Sequence, residues 1–584
     1  MYRVNKKLAE IFEAIGSIYE FKGSKERFRA IAYHNAARII NDLPEDIREH
    51  IKDGKFVKTY GIGKSIEEKI FEFLNTNQVN LYNELQKEIP KDFLAFMKVQ
   101  GFGPETLKRF YYDLKLTSRE QIIEALKDGR VLQLKGFKQK KVNNLLSALL
   151  KKSESEERLP LWDALEISNS IMSLLTTIPQ IKRIDIAGSL RRQRDTIGDI
   201  DLLIAAKPRD RKAIIRHFVS LDEVENLYAE GDTKASVYFK SFQRQVDIRI
   251  VTEDQWGAAL QYFTGSKAHN IHLRKLAIEK GFKINEYGLF TVDENKRVAG
   301  ETEEDIYYAL GLEWMPPEMR EDTGEIELAA TGKIPQLITI DEIKGDMHTH
   351  SRWSDGHSSI EEIADYITSH HNYDYIVLTD HSKAQIIAGG MQEHEFTEQL
   401  KEIRKVNRKL GKDLIKSGAE VDILPDGSLD LSDSVLQTLD WVVASIHSHF
   451  NQDNTERILK ACYNPYVCVI GHPTGRVLGF REGYGVDMER VLDVAAETGT
   501  AIEINANSYR MDINDRWAKR AVEKGVQLVI GTDSHTTGNY SFMKLGVAIA
   551  RRAWCTKEAI LNTGDWSAIE AFKRMKLEKV YIAK

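Results

Sequence analysis

Residues 188–204 read GSLRRQRDTIGDIDLLI, and the organisation of the chain is worked out from this stretch. A Gly-Ser turn, Gly188 and Ser189, is followed by a basic run, then Gly198, then Asp199 and Asp201 with one apolar residue between them. Successive side chains of an extended strand alternate faces, so Asp199 and Asp201 should share one side while Ile200, Leu202 and Ile204 face a core. Two carboxylates held that close repel each other unless a cation lies between them. Asp247, in QVDIRIV, occupies a similar strand pattern and is a third candidate. A bare Asp-x-Asp reads as an exposed acidic strand edge. The upstream turn and Arg192 shift the reading to a two-metal phosphoryl-transfer site in which the turn and the guanidinium hold a polyphosphate.

The stretch resembles the palm of the family X DNA polymerases, the relatives of DNA polymerase β. The resemblance continues through LQYFTGSKAHNIHLRKLAIEKGFKINEYGLF, Leu260 to Phe290. It implies that Asp199, Asp201 and Asp247 bind two Mg²⁺ (or Mn²⁺) ions, and that Gly188, Ser189, Arg192 and Gly198 contact a triphosphate. Tyr262, Phe263 and Gly265 would then line the sugar of an incoming nucleotide, with Asn270 and Arg274 reaching the minor-groove edges of the nascent pair. Two departures stand out. Lys267 replaces an acidic residue of DNA polymerase β, and Gln245 replaces an Arg beside the catalytic carboxylates.

Charge is unevenly spread along the 584 residues: net +9 over 1–152, −9 over 153–344 and −6 over 345–584. A basic module ahead of two acidic ones suits a tether to a polyanion, because neutralising phosphates releases counterions. The basic module reads as helical, with amphipathic runs such as LAEIFEAIGSIYEF and IEEKIFEFLNT. Gly61 and Gly63 in TYGIGKSIEEKI, and Gly101 and Gly103 in VQGFGPETLKRF, each form Gly-x-Gly between helical runs, with Lys64 and Lys108 nearby. LKGFKQKKVNNLL looks like a third, degenerate copy. Such a turn presents backbone N–H groups and the positive end of a helix dipole to a phosphate. These segments resemble helix-hairpin-helix DNA-binding elements, although ordinary glycine-capped helix packing would also produce one of them. Lys69 matches the Schiff-base lysine with which DNA polymerase β removes a 5′-deoxyribose phosphate. Such a nucleophile needs a lowered pKa, which Lys64 could assist, but Ser65 replaces a supporting lysine, and a solvated helix face also accounts for Lys69.

Eleven of the sixteen histidines lie beyond residue 343. They punctuate short apolar runs: GDMHTHSRWSDG, YIVLTDHS, LIKSGAEVDI, WVVASIHSHF, VCVIGHPTG and LVIGTDSH. Their alternation with helical segments predicts a (β/α) barrel with polar residues gathered at its C-terminal rim. Imidazoles and carboxylates converging from several strand ends make a polynuclear site for divalent ions. This pattern resembles the polymerase and histidinol phosphatase (PHP) domain. The resemblance implies up to three Zn²⁺, Mn²⁺ or Fe²⁺ ions on His348, His350, Asp355, His381, Glu420, His447, His472, Asp533 and His535. His449, two residues past His447, is the competing candidate for that position.

The expected fold is therefore multidomain. An all-α helix-hairpin-helix module (1–152) precedes an α+β nucleotidyltransferase palm (153–255) and a thumb-like subdomain (256–320). A connection (321–342) then leads to a distorted (β/α) PHP barrel (343–584). KKSESEERLP reads as the first linker, and WMPPEMREDTGEIELAATGKIPQL, with three prolines and no sustained period, as an extended second one. No run of about eighteen apolar residues occurs and no leader opens the chain, so neither a membrane span nor export is expected. Cys462, Cys468 and Cys555 are too few for a disulfide framework, and Cys462 and Cys468 lack zinc-pair spacing. The expected activity is gap-filling DNA synthesis from dNTPs on gapped or nicked duplex in base-excision-type repair, with a 3′–5′ exonuclease that cleans the primer 3′ end. A bacterial-type cytoplasmic monomer is expected. A histidinol-phosphatase-type phosphoesterase fused to an inert palm and a non-catalytic DNA end-binding protein are the competing classes.

Overall fold

The structure, a computed structural model, describes residues 3–41, 47–48, 63–76, 78–90, 93–97, 102–134, 136–139, 141–142, 145–146 and 158–583 apart from 387, 479 and 480. It divides into two compact units, residues 1–156 and 157–584.

The described part of the first unit consists of helices and the turns between them, with no strand. Its main helices are Arg3–Lys22, Arg27–Asn41, Lys64–Thr76, Pro104–Leu114 and Arg119–Lys127. Their apolar stripes meet in one core that includes Phe12, Ile18, Phe21, Ile70, Phe93, Phe102 and Phe110. Gly63 immediately precedes the helix Lys64–Thr76, and its carbonyl accepts from the Ile66 and Glu67 amides. Gly103 caps Pro104–Leu114 without a side-chain bond of its own. Both helix starts lie next to open space at the glycine.

The second unit begins with β1 (Leu159–Pro160), which pairs antiparallel with β3 (Thr196–Ile197). A five-stranded sheet follows in the order β2 (Arg183–Ile186), β4 (Ile200–Ala205), β7 (Arg244–Val251), β6 (Lys234–Phe239) and β5 (Val224–Glu230). β4 and β7 are parallel, and Asp201 pairs in register with Asp247. Ile200, Leu202 and Ile204 pack with the helices Leu161–Leu175 and Arg211–Val219, as the alternation predicts. The opposite face is also covered. Leu203 and Ala205 pack against Trp256, Ala259 and Leu260 of the helix Trp256–Thr264, while Asp199 and Asp201 at the start of β4 stay at least partly accessible.

A meander of β8 (Phe282–Asn285), β9 (Gly288–Thr291) and β10 (Arg297–Ala299) packs with Lys267–Glu279 and Glu303–Ala309. Segment 314–337 departs from the extended connection expected for it. It contains the helix Glu325–Ala330 and buries Met319, Arg320, Ile326 and Leu337. The reason is electrostatic as well as apolar. Arg191 forms a two-pronged pair with Glu303 at 2.8 Å, Arg320 Nη1 donates to the same carboxylate at 2.6 Å, and His269 Nδ1 lies 2.7 Å from Glu325 Oε1. Burial would raise the Glu303 carboxyl, but Arg320 and Arg191 hold it down at about 2.

Seven parallel strands complete the chain in sequential order: β11 (Gly345–Thr349), β12 (Tyr375–Leu378), β13 (Ile415–Asp422), β14 (Trp441–Ser445), β15 (Val469–Ile470), β16 (Ala501–Asn505) and β17 (Leu528–Gly531). A parallel bridge from Thr349 to Ser534 brings the first and last strands together, so the sheet forms a nearly closed barrel. Helices such as Ile360–His370, Met488–Thr498 and Asp515–Glu523 run between strands, as parallel connections require. Met347, Val377, Trp441 and Val529 cluster with Ile569 and Phe572 of the C-terminal helix Trp566–Ala583. Among the described residues no helix is long and apolar enough to cross a membrane, and all three cysteines are buried and free.

Candidate active sites

The palm site is assembled by register. Donor atoms of Asp199, Asp201 and Asp247 all lie within 4.8 Å of one another. Burial, then the charges of Asp199 and Asp247, push Asp201 up to about 7 despite Arg192 and Arg249. A carboxylate that gains so little from its surroundings is suited to accept a cation. Gly188, at φ 61°, makes the arrangement possible, because a Cβ there would overlap the Asp201 carboxylate. Gln245, the departure noted in the sequence, donates its amide to both Asp247 oxygens, at 3.1 and 3.2 Å, and so orients that carboxylate.

The remaining palm candidates surround this trio unequally. The Arg192 Nε donates to Glu321 at 3.0 Å and its Nη1 to the Thr264 carbonyl at 2.5 Å, which brings the guanidinium against Gly265. Ser189 is half-buried in the same turn, and Gly198 faces Arg158. Tyr262 and Phe263 meet edge to face with ring centres 5.1 Å apart, and the Arg249 guanidinium stacks 4.8 Å from Phe263, a contact the motif did not reveal. Asn270 is occupied within the protein: it accepts from Gln261 at 2.7 Å and donates to the Tyr262 carbonyl at 2.7 Å. Arg274 is exposed, with its Nε on the Asn270 carbonyl, and Lys267 is exposed beside it.

The barrel site forms at the C-terminal ends of its strands. His348 and His350 come from the end of β11, His381 follows β12, Glu420 lies on β13, His447 follows β14, His472 follows β15, and Asp533 and His535 follow β17. Their donor atoms form three groups, each within 4.8 Å: His350, Asp355, His381 and His535; His348, His350 and Asp533; His381, Glu420 and His447. His472 joins through Glu420, with Nε2 2.9 Å from Oε1. His447 is the member that converges, whereas His449 is exposed. His472 at φ 24° and Asp533 at φ 54° adopt backbone conformations that cost energy outside glycine and persist where surroundings demand them.

The electrostatics are divided between the members. Burial, with His535 and His381 close by, drops His350 to about 4. Burial opposes a charge on His447 and His535, but Glu420 with Asp422, and Asp355 with Asp533, push them to about 10 and about 9. Ring nitrogens of His348, His350, His381, His447 and His472 are buried without a hydrogen-bond partner. Buried orphaned imidazole nitrogens facing carboxylates fit divalent metal ions.

Two further groups act from behind, and the motifs did not pick them out. Glu503, on β16, lies 2.7 Å from His348 Nδ1 and accepts from the His472 amide at 2.6 Å. Asp422 lies 3.4 Å from His447 Nδ1. A carboxylate bonded as Glu503 is to His348 fixes the tautomer and orientation of a ligating imidazole, whereas Asp422 bears on His447 through its charge. AIEIN ends in the same β-then-acid pattern as the other strand ends, and this was the available signal. Arg510 is a third addition: it lines the pocket and its Nε is 3.3 Å from Asp533 Oδ2.

In the helical unit, Lys64 is exposed at the helix start, while the Lys108 amine packs against Gly23. The Lys69 Nζ donates to the Ser65 carbonyl at 3.0 Å and hydroxyl at 3.2 Å. Gly61 and Gly101 lie outside the described residues.

Comparison with known proteins covers the chain from end to end. Residues 3–79 match a helix-hairpin-helix domain, 259–321 the DNA polymerase beta thumb and 346–507 a PHP domain. The chain is 37% identical over 572 residues to the DNA polymerase/3′-5′ exonuclease PolX of Bacillus subtilis (strain 168), covering 97% of this chain and 99% of that protein. It is 25% identical over 349 residues to DNA polymerase lambda of Arabidopsis thaliana, 54% of this chain and 62% of the relative. A probable phosphatase of Thermoanaerobacter sp. (strain X514) is 34% identical over 179 residues, 28% of this chain and 70% of the phosphatase.

Proposed function

Because the chain belongs to the family X DNA polymerases that carry a C-terminal PHP domain, we propose that it fills gaps in DNA during repair and trims 3′ ends with its barrel. It is a DNA polymerase and a 3′–5′ exonuclease. The observation that carries this reading is the coexistence of two sets of ligand-type side chains: Asp199, Asp201 and Asp247 in the palm, and eight clustered histidine and carboxylate residues of the barrel with His472 beside Glu420. An inert palm would have no reason to keep three mutually repelling carboxylates together behind Gly188.

Asp199, Asp201 and Asp247 would hold two Mg²⁺ or Mn²⁺ ions. The barrel groups, with His472 completing them, would hold up to three Zn²⁺, Mn²⁺ or Fe²⁺ ions. Bound divalent ions would supply Lewis-acid charge neutralisation for phosphoryl transfer in the palm and for phosphodiester hydrolysis in the barrel. The chain's own residues do the positioning. Gln245 fixes Asp247, Arg249 holds the Phe263 ring where the nucleotide sugar would rest, and Gly188, Ser189, Arg192 and Gly198 surround the triphosphate position. Arg274 would reach the nascent base pair. In the barrel, Glu503 orients His348, the Asp422 charge favours a protonated or metal-facing His447, and Arg510 meets the scissile phosphate.

Gapped or nicked duplex and dNTPs are the proposed substrates, bound with the help of the helix starts after Gly63 and Gly103. The net charge of +9 in the first 152 residues supports this. A monomer associated with DNA in a bacterial-type cytoplasm fits the same reading. Lys69 would be the nucleophile of a 5′-deoxyribose-phosphate lyase once its amine leaves Ser65, and abasic sites are a second substrate proposed for the barrel. Borohydride trapping of an abasic DNA on Lys69, lost in Lys69→Ala, tests the lyase.

The main test is separability. His348→Ala combined with His350→Ala should abolish metal-dependent 3′–5′ degradation and leave primer extension intact, because the substitutions do not touch the palm aspartates. Asp199→Ala should do the reverse. Undiminished degradation in the double variant would place the nuclease elsewhere.

A further inference from the structure

A chain of contacts leads from the palm to the nuclease pocket. The segment after Gly188 turns at Gln193, at φ 52°, and presents Asp195. Asp195 Oδ2 accepts from Arg476 Nη1 at 2.9 Å, with the two side chains 29% and 14% exposed. Arg476 belongs to the loop that follows His472. Its Nε donates to the Arg510 carbonyl at 3.0 Å, and its second Nη donates to the Met511 carbonyl. One guanidinium therefore serves a palm carboxylate and two consecutive carbonyls of the loop after β16. That loop needs holding, since Met511 adopts φ 45°. Arg510 projects from it into the pocket, 3.3 Å from Asp533, and is the sole Lys or Arg among the described residues lining that pocket.

We infer that Asp195 is a positioning residue for the nuclease: through Arg476 it fixes the Arg510 loop and thereby sets where this cation meets the phosphate of a DNA 3′ end. The inference rests on the nuclease reading of the barrel. Asp195 acts without approaching that substrate. The planar fork of Arg476 is what allows one side chain to bind all three acceptors, which a lysine could not do in fixed geometry. Removing Asp195 leaves a largely buried guanidinium without its carboxylate. Such a group turns toward water and releases the carbonyls it was holding. A misplacement near 1 Å of a substrate-positioning group costs on the order of 100-fold in rate.

The test uses the full chain in four variants: Asp195→Ala, Asp195→Glu, Arg510→Ala and the double Asp195→Ala with Arg510→Ala. Degradation of a single-stranded oligonucleotide is measured as kcat and KM, with bound metal by elemental analysis and amide exchange over residues 505–514 without substrate. Asp195→Ala should lose about 10- to 100-fold in kcat. Metal content and melting temperature should hold, and exchange should quicken over the Arg510 loop. The double variant should be no slower than Arg510→Ala alone, because both changes act through one group. Asp195→Glu should recover most of the rate. Unchanged degradation and exchange in Asp195→Ala, or rate reductions that multiply in the double variant, would overturn the inference. If the parent protein degrades no 3′ end while Asp195→Ala still loosens the loop, the nuclease reading fails and the contact stands.

Discussion

Replacing Gly188 with Ala tests the palm with a single methyl group. At φ 61° an alanine carries a backbone cost of about 1–2 kcal/mol that glycine avoids. The steric consequence is larger. The added Cβ would overlap an Asp201 carboxylate oxygen and lie 3.0 Å from its Cγ. Asp201 cannot retreat along the backbone, because its carbonyl accepts from the Ala187 amide at 2.8 Å and its strand is paired with Asp247. The carboxylate must rotate instead, away from the point it shares with Asp199 and Asp247. A displacement near 1 Å in such a constellation costs on the order of 100-fold in rate, or about 2.7 kcal/mol of barrier. Single-nucleotide gap extension measures this, with 3′–5′ degradation by the same preparation as the internal control. Extension should fall about 100-fold while degradation holds. Adding Gly188→Ala to Asp201→Asn should cause no further loss of extension, since the group it displaces is already disabled. Extension close to the parent rate in Gly188→Ala would refute the claim that this glycine reserves space for the carboxylate.

Other outcomes follow from charge. Deleting residues 1–150 should weaken binding to gapped DNA and flatten the plot of log affinity against log salt by about 0.9 for each phosphate no longer neutralised; an unchanged slope would count against DNA binding by the helical unit. Glu303 gives a pH dependence with a definite sign. Its carboxyl, held at about 2 by Arg320 and Arg191 against the effect of burial, would titrate near its ordinary carboxylate value once unfolded. The lowered value stabilises the fold above the unfolded pKa, and this contribution of about 3 kcal/mol disappears as pH falls from about 4.5 to about 2. Denaturant titrations from about pH 6 down to about 2.5 should therefore show Glu303→Gln approaching the parent in stability, and a constant gap would contradict the ion-pair account.

How much of this was legible in the sequence depended on range. The Asp199–Asp201 alternation and the strand-end histidines could be read because local periodicity dictates them, and both aspartates do share a face. Of His447 and His449, the position directly ending the apolar run is the one that lies with His381 and Glu420. Segment 314–337 misled because its order comes from partners outside it, Glu303 for Arg320 and His269 for Glu325, which no local pattern announces. Glu503 was passed over for a related reason. Its role appears only when barrel closure brings β16 to within one strand of His348. Gln245 was noticed as a departure, and its amide bonds to Asp247 join same-face neighbours two residues apart on β7, a relation the strand alternation already contained.

The barrel seam has a consequence for biosynthesis. His348 and His350 lie on the first strand, while Asp533 and His535 follow the last, so two of the donor groups straddle the line where the sheet closes. A ribosome adding about 5–20 residues per second leaves the leading His-x-His pair without its opposite half for on the order of ten seconds. During that interval the nascent chain offers only an incomplete chelate. The full cage exists once the final strand docks beside β11, and an ion bound across the seam would clasp that junction. Were such an ion bound, the choice among competing metals would fall at the moment of closure, when the local supply of free ions would count for more than the affinity of any one strand.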